Sequence, residues 1–255
     1  MNLKYFYIFI IILISVFFII GCTEQNNHNQ TNLSEKQEIL KGFSLSPKSF
    51  QPEDFTNFLE NTKKVDIISW AGDWNELNNI QNGGPKVITE LASVYKYTPI
   101  VELQFFTQSS GQLIRPLDDT TKEIYKTGVI NFVEKYEPKY LGIGIEVNVL
   151  YEKSRNDFED FVSFYDEVYD SIKEKSPNTK IFTVFQLEKM KGLNGGLFGG
   201  MNDPKKSQWF LLEKFKSDVI VFTTYPNLIY KNPSEIPSDY YTEIKLHTSK
   251  SIAFI

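Results

Sequence analysis

Short runs of β-branched and aromatic residues alternate with longer amphipathic stretches from Lys41 to the last residue of the chain. Such runs are typical of buried strands, and the stretches between them have the apolar spacing of helices packed on a sheet. Strict alternation predicts an α/β fold with a parallel sheet and right-handed crossovers. The pattern predicts six helices between seven strands: 42–45, 65–70, 100–106, 140–147, 180–187, 219–224 and 251–255.

A parallel sheet of this kind can be an open doubly wound sheet or a barrel. The first predicted turn, Ser44-Leu45-Ser46-Pro47, lacks the glycine-rich phosphate loop of dinucleotide-binding sheets. The glycine-rich stretch 192–200 carries no Gly-Lys-Ser/Thr and does not open a helix directly. We therefore expect a barrel of the (β/α)8 TIM type, and no cofactor.

Residues 1–22 have the features of a targeting segment, with an almost unbroken apolar run after Lys4. Ile19-Ile20-Gly21-Cys22 resembles the lipobox of prokaryotic lipoproteins, and Cys22 is the only cysteine. The resemblance implies cleavage before Cys22, lipidation of its thiol, and a protein anchored to the cell membrane, facing outside the cytoplasm. The alternative is an uncleaved anchor with an incidental cysteine. Residues 23–40 form a predicted polar tether, and residues 41–255 form the predicted barrel.

The formal net charge is −5, which argues against nucleic acid as a partner because phosphate binding needs a basic face. The only histidines, His28 and His247, are far apart in sequence, so no metal site is expected. Aromatic residues make up 15% of the chain, enough to supply both a core and platforms for flat ligands such as sugars.

Chemistry in parallel α/β folds sits where strands end and the following loops begin. Glu146 lies at the end of a mostly apolar strand, a setting that suits a general acid. Polar and aromatic residues near the other strand ends suit a carbohydrate ligand, although packing or turn roles would also explain each of them. The predicted substrate-binding residues are Trp70, Asp73, Trp74, Gln104, Asn148, Gln186, Glu188 and Tyr225.

Two of these strand ends resemble a known superfamily. LGIGIEVN around Glu146 and FTTYP around Tyr225 look like the fourth and sixth strand ends of retaining (β/α)8-barrel glycoside hydrolases, which include endo-β-galactanases and cellulases. The resemblance implies that Glu146 is the acid/base and that Tyr225 lines the site. Ile145 stands where the superfamily usually has Asn. Asn148 would share a strand face with Glu146 and is the predicted substitute.

The superfamily also carries a nucleophilic Glu after its seventh strand, and none follows 251–255. The interpretation is an incomplete barrel, truncated at its C-terminus, with the last β/α units missing. The predicted function is that of a cell-surface lipoprotein resembling enzymes that hydrolyse β-linked polysaccharide with retention. The alternative is a catalytically silent carbohydrate-binding lipoprotein or a non-functional fragment.

Overall fold

The structure is a computed structural model that describes residues 39–255. The predicted signal segment 1–22 with Cys22, and nearly all of the predicted tether 23–40, lie outside the described residues. The lipid anchor and the division of the chain into three parts therefore stay predictions. Within 39–255, none of the helices combines the length and apolar character that a membrane span needs.

Each of the seven predicted strand regions contains a strand. The structure nevertheless has eight strands in residues 39–255, because Thr183 interrupts the fifth predicted region, so the predicted count is wrong. The strands are β1 (Gly42–Ser44), β2 (Ile67–Asp73), β3 (Thr98–Gln104), β4 (Tyr140–Ile143), β5 (Lys180–Phe182), β6 (Val184–Gln186), β7 (Ile220–Thr223) and β8 (Ile252–Phe254).

The strands are parallel, which confirms the predicted sheet type, and they pair in the orders β1-β2-β3-β4-β5 and β6-β7-β8. The two groups are continuous in the chain at Thr183. The Thr183 hydroxyl and the Val184 amide each donate a 3.1 Å hydrogen bond to the carbonyl of Gly144, so β6 starts beside the end of β4. Among the described residues β8 and β1 are not paired, and closure into a barrel stays a prediction.

The prediction of six helices is also wrong, since the described residues form seven α-helices. Two separate helices follow β4. The stretch 204–215, whose apolar spacing is typical of a helix, forms two 3-10 turns instead, Pro204–Lys206 and Trp209–Lys214, separated by Ser207 and Gln208. The helices are α1 (Pro52–Thr62), α2 (Gly84–Tyr95), α3 (Asp119–Tyr136), α4 (Val147–Lys153), α5 (Arg155–Lys175), α6 (Leu187–Met190) and α7 (Pro226–Ile229).

The two faces of the sheet have different partners because strand side chains alternate. One face supplies residues such as Val101, Leu141 and Phe222 to the main core, which it shares with apolar side chains of α3 and α5. The other face carries a smaller apolar cluster, here called the inner cluster: Ile100, Phe182, Val184, Val219 and Val221. Residues two positions further along each strand share this inner face, and they lead to the candidate site.

Candidate functional site

The inner face becomes polar toward the carboxyl ends of the strands. Glu102 and Gln104 follow Ile100 at two-residue intervals on β3, Gln186 follows Val184 on β6, and Thr223 follows Val221 on β7. Strand register sets Gln186 beside Thr223. The candidate site is therefore a polar layer above the inner cluster, at the sheet edge where the sequence predicted chemistry.

Glu146 lies just beyond β4 in an unusual backbone conformation. The strand ends at Ile143, and the chain then turns through Gly144, with φ 86°, and Glu146, with φ 56°. A left-handed conformation at a residue other than glycine is held only when its surroundings impose it, and such residues cluster at functional sites. Glu146 is buried, and its Oε1 accepts a 2.6 Å hydrogen bond from the Thr223 hydroxyl.

Tyr225 faces the same carboxyl group from the loop after β7. Burial, the negative charge of Glu146 and the interaction of the phenol with Glu146 raise the pKa of Tyr225 to about 12. Tyr225 is 37% exposed, so part of it is open to solvent. The structure thus brings two of the predicted residues together and adds Thr223 to them.

Glu188, on α6, binds the same loop. Its Oε1 accepts three hydrogen bonds: from the Thr224 hydroxyl (2.9 Å), the Tyr225 amide (2.6 Å) and the Tyr240 hydroxyl (2.7 Å). Glu188 is fully buried, and its Oε2 has no hydrogen-bond partner among the described residues. Three consecutive residues, 223–225, therefore join Glu146 to Glu188.

Asn148 does not share a strand face with Glu146, so that prediction is wrong. The reason is the turn after Ile143, which ends the strand and begins α4 at Val147. The buried side-chain amide of Asn148 instead connects α4 to β6. Its oxygen accepts from the backbone N–H of Gln186 (2.8 Å), and its nitrogen donates to the backbone carbonyl of Gln186 (3.0 Å). The Gln186 side chain lies in the polar layer, and its buried Oε1 has no partner in the described part of the chain.

The two tryptophans predicted as sugar platforms do not face the site. Trp74 is 2% exposed and packs in the main core against Phe105 and Tyr125. Trp70 lies on the helix-facing side of β2, where its indole fills the space beside Gly84 at the start of α2. The prediction failed because the pattern of a strand end does not reveal which face each side chain takes.

Asp73 is paired with a residue that the sequence reading missed. Arg115 donates to both its carboxylate oxygens, at 2.6 and 2.9 Å, and the Asn75 amide donates to Oδ1. Burial alone would raise the pKa of Asp73, but the hydrogen bonds and the positive charge of Arg115 outweigh it, so the pKa is lowered. The pair ties the end of β2 to the loop after β3.

Gln104 belongs to a short amide relay. Its Nε2 donates to Oε1 of Gln108 (2.8 Å), and Nε2 of Gln108 donates to the carbonyl of Ile145 (3.4 Å). The relay connects the end of β3 with the turn that carries Glu146. Gln104 therefore lies near the predicted acid/base. Its Nε2 donates to groups of the protein itself.

Glu102 is a second buried carboxyl on the inner face, one layer below Gln104, and the sequence reading also missed it. Burial raises the pKa of Glu102 to about 8, against a smaller opposing effect of the Ser69 hydroxyl. Its Oε1 has no partner among the described residues. At neutral pH this side chain is mostly protonated, and it lies directly below the polar layer.

Residues 39–255 contain no group of three or more His, Cys, Asp and Glu side chains that could hold a metal ion. A cavity of about 220 Å³ opens at the other end of the sheet, where the loops before β4 and β5 meet. That end of a parallel α/β fold is associated with stability rather than chemistry. The residues around Glu146 thus remain the candidate site.

Comparisons with known proteins concern the fold. No protein-family model matches the chain, and no curated protein matches it in sequence. The spore cortex-lytic enzyme SleL of Bacillus megaterium matches with a TM-score of 0.51 at 8% identity, over 84% of this chain and 49% of that chain. The described part of the chain shares that enzyme's fold.

Two further structures match less well. A β-galacturonidase of Eisenbergiella tayi has a TM-score of 0.49 at 14% identity, over 84% of this chain and 34% of that chain. A β-glycosidase has a TM-score of 0.47 at 10% identity, over 71% of this chain and 57% of that chain. The chain thus spans about a third to just over half of the length of these structures. Activity, substrates and partners are therefore proposals.

Proposed function

We propose that this chain is a carbohydrate-active protein that hydrolyses β-linked polysaccharide with retention, with Glu146 as the acid/base. The observation that carries the proposal is the setting of Glu146. It is a buried carboxyl in a left-handed conformation at a strand end, with Thr223 and Tyr225 against it. A positioned carboxyl of this kind is what proton transfer to a glycosidic oxygen needs.

In the proposed reaction, Glu146 gives its proton to the glycosidic oxygen as the bond to the anomeric carbon breaks and a nucleophilic carboxylate forms a bond to that carbon. The leaving sugar departs with that proton, and the Glu146 carboxylate then takes a proton from the water that releases the retained product. Tyr225, which is partly exposed and interacts with Glu146, would contact the sugar. Retention also needs a nucleophile on the other side of the anomeric carbon, a role the superfamily resemblance gives to a Glu after the seventh strand.

One observation favours the alternative, a protein that binds carbohydrate without cleaving it. Retaining hydrolysis requires two carboxylates roughly 5–5.5 Å apart, both able to touch the sugar. Glu188, the second carboxylate bound to the 223–225 loop, is fully buried. Glu146 alone would then support binding through hydrogen bonds to sugar hydroxyls, together with the ring of Tyr225.

Hydrolysis of aryl β-glycosides and of β-linked polysaccharides by the wild type and by Glu146→Gln separates the two functions. The matched control is Glu159→Gln, at an exposed helical carboxylate paired with Lys214. Enzyme function predicts turnover that Glu146→Gln abolishes and Glu159→Gln preserves, with the product's anomeric configuration retained by NMR. Glycan retardation in affinity electrophoresis without turnover would favour the binding function. Neither turnover nor binding would contradict both.

We also propose that the protein is lipid-anchored at the cell surface through Cys22. The support is the sequence Ile19-Ile20-Gly21-Cys22 at the end of an apolar segment. Metabolic labelling with a fatty acid and membrane fractionation test it. Labelling should be lost in Cys22→Ser, and an unlabelled wild-type protein in the soluble fraction would contradict it.

A further inference from the structure

We propose that Glu188 is a positioning residue that holds Tyr225 against Glu146, and that it is neither a sugar ligand nor the nucleophile. This inference rests on the proposed function, since it assigns Glu188 a part in the same site. It departs from the sequence-based prediction, which placed Glu188 among the substrate-binding residues.

The hydrogen bonds of the 223–225 loop show how Glu188 would act. Thr223 donates to Glu146, whereas the Thr224 hydroxyl and the Tyr225 amide donate to Glu188. The backbone of Tyr225 is therefore fixed by one carboxylate while its phenol faces the other. Pro226 follows directly and has no N–H to offer, so the Tyr225 amide is the last backbone donor of the loop before α7.

The burial of Glu188 excludes direct contact with a sugar in this conformation. The side chain has no exposed surface, and Tyr240, which donates to it, is itself 1% exposed. Hydrogen bonds to a carboxylate are stronger than those between neutral groups. Three such hydrogen bonds to one buried oxygen of Glu188 would hold the 223–225 loop firmly. Glu188 would then affect the substrate only through Tyr225, the residue that it positions.

Glutamine at position 188 separates positioning from chemistry. A Gln Oε1 can accept the same three hydrogen bonds but has no negative charge and is a poor nucleophile. We expect Glu188→Gln to keep kcat/KM within about fivefold of wild type, because the acceptor is retained. Glu188→Ala, which removes the acceptor of three hydrogen bonds, should lower kcat by about 30-fold or more with a smaller change in KM.

Tyr240→Phe is the milder variant if Glu188→Ala fails to fold. It removes a single donor and leaves the other two hydrogen bonds of Glu188 in place. We expect kcat to fall by about threefold, because the variant loses one hydrogen bond to Glu188 and affects Tyr225 only through that residue. If Glu188→Gln is as inactive as Glu146→Gln, Glu188 is a catalytic carboxylate and the inference is wrong. Full activity in both Glu188→Ala and Tyr240→Phe would contradict it equally.

A measurement without turnover keeps the inference separate from the proposed function. In protein labelled with ¹³C at tyrosine Cζ, the signal of Tyr225 is assigned by its absence in Tyr225→Phe. At about pH 10.5 the wild-type phenol should remain protonated, while a phenol released from Glu146 should be largely ionised. We expect the Tyr225 phenol to be released from Glu146 in Glu188→Ala and partly released in Tyr240→Phe. In Glu188→Gln we expect no release. An unchanged signal in all three variants would overturn the inference even if the protein is an active enzyme.

Discussion

The Thr223 hydroxyl donates a 2.6 Å hydrogen bond to Oε1 of Glu146, across 77 positions of sequence. Thr223 ends β7 and Glu146 follows β4, two strands that are not neighbours in the sheet. The hydrogen bond therefore connects two strands of the inner face that share no backbone hydrogen bonds. It orients the carboxyl group over the polar layer, where a glycosidic oxygen would lie in the proposed reaction.

Replacing Thr223 by Val removes this donor while keeping nearly the same shape. A hydrogen bond to a charged group contributes about 1.5–3 kcal/mol, so we expect kcat/KM to fall by about 10- to 100-fold. Steady-state kinetics on an aryl β-glycoside measure the effect. Thr242→Val, at an exposed hydroxyl in a 3-10 turn, is the control and should be unaffected. Equal activity of the two variants would show that Thr223 does not position the acid/base.

Glu102 makes stability depend on pH in a definite direction. Its folded pKa, about 8, is above the ordinary value of 4.5, so the unfolded chain loses this proton first as pH rises. The free energy of unfolding should therefore decrease between about pH 4.5 and pH 8, by up to about 1.4 kcal/mol per pH unit from this group. Above that range the contribution is constant.

The test is urea unfolding from pH 5 to pH 8 of the wild type and of Glu102→Gln. The variant carries no titrating group at this position, so its unfolding free energy should decline less steeply with pH. Glu174→Gln, at a largely exposed carboxylate, should keep the wild-type slope. If Glu102→Gln also keeps it, the folded pKa of Glu102 is not raised.

Gly84 leaves room for Trp70, since a Cβ at this position would overlap the indole nitrogen. We expect Gly84→Ala to destabilise the protein by about 1–3 kcal/mol, the usual cost of overpacking. Thermal or urea unfolding measures it. In a Trp70→Leu background the smaller side chain should relieve the overlap, so the same Gly84→Ala change should cost less. Equal costs in both backgrounds would mean that Trp70 does not pack against α2.

Asp73 and Arg115 should contribute a modest, acid-sensitive stabilisation. The folded pKa of Asp73 is lowered below 3.8, so its contribution is present above that value and is lost as pH falls through the folded pKa. Both side chains are about a third exposed, which limits the contribution to about 1 kcal/mol. Unfolding of Asp73→Asn at pH 3 and at pH 7 measures this. A cost at pH 3 as large as that at pH 7 would contradict the assignment.

The strands were predictable because each is a short β-branched or aromatic run, and this pattern survives in any parallel sheet. The interruption at Thr183 was not, since nothing in the run Lys180–Gln186 marks a break in pairing. The 3-10 turns around Trp209 were also missed, because their apolar residues have the same spacing as a short helix.

The candidate site was predictable at Glu146 and Tyr225, which sit at strand ends and carry recognisable chemistry. Glu188 was also predicted, but as a sugar ligand. Thr223 and Tyr240 were not predicted, because they reach the site through contacts distant in sequence. The predicted positions of the Trp74 and Asn148 side chains were wrong for a local reason. Each lies after a strand end, in a turn or helix where two-residue alternation no longer applies.

Azide rescue of Glu146→Ala tests the acid/base role most directly. With an activated aryl β-glycoside the variant should hydrolyse slowly, because the second step lacks its general base. Added azide needs no such base and should restore turnover, giving a glycosyl azide of retained configuration by NMR. Full turnover of Glu146→Ala without azide, or a slow variant that azide does not accelerate, would contradict the assignment of Glu146.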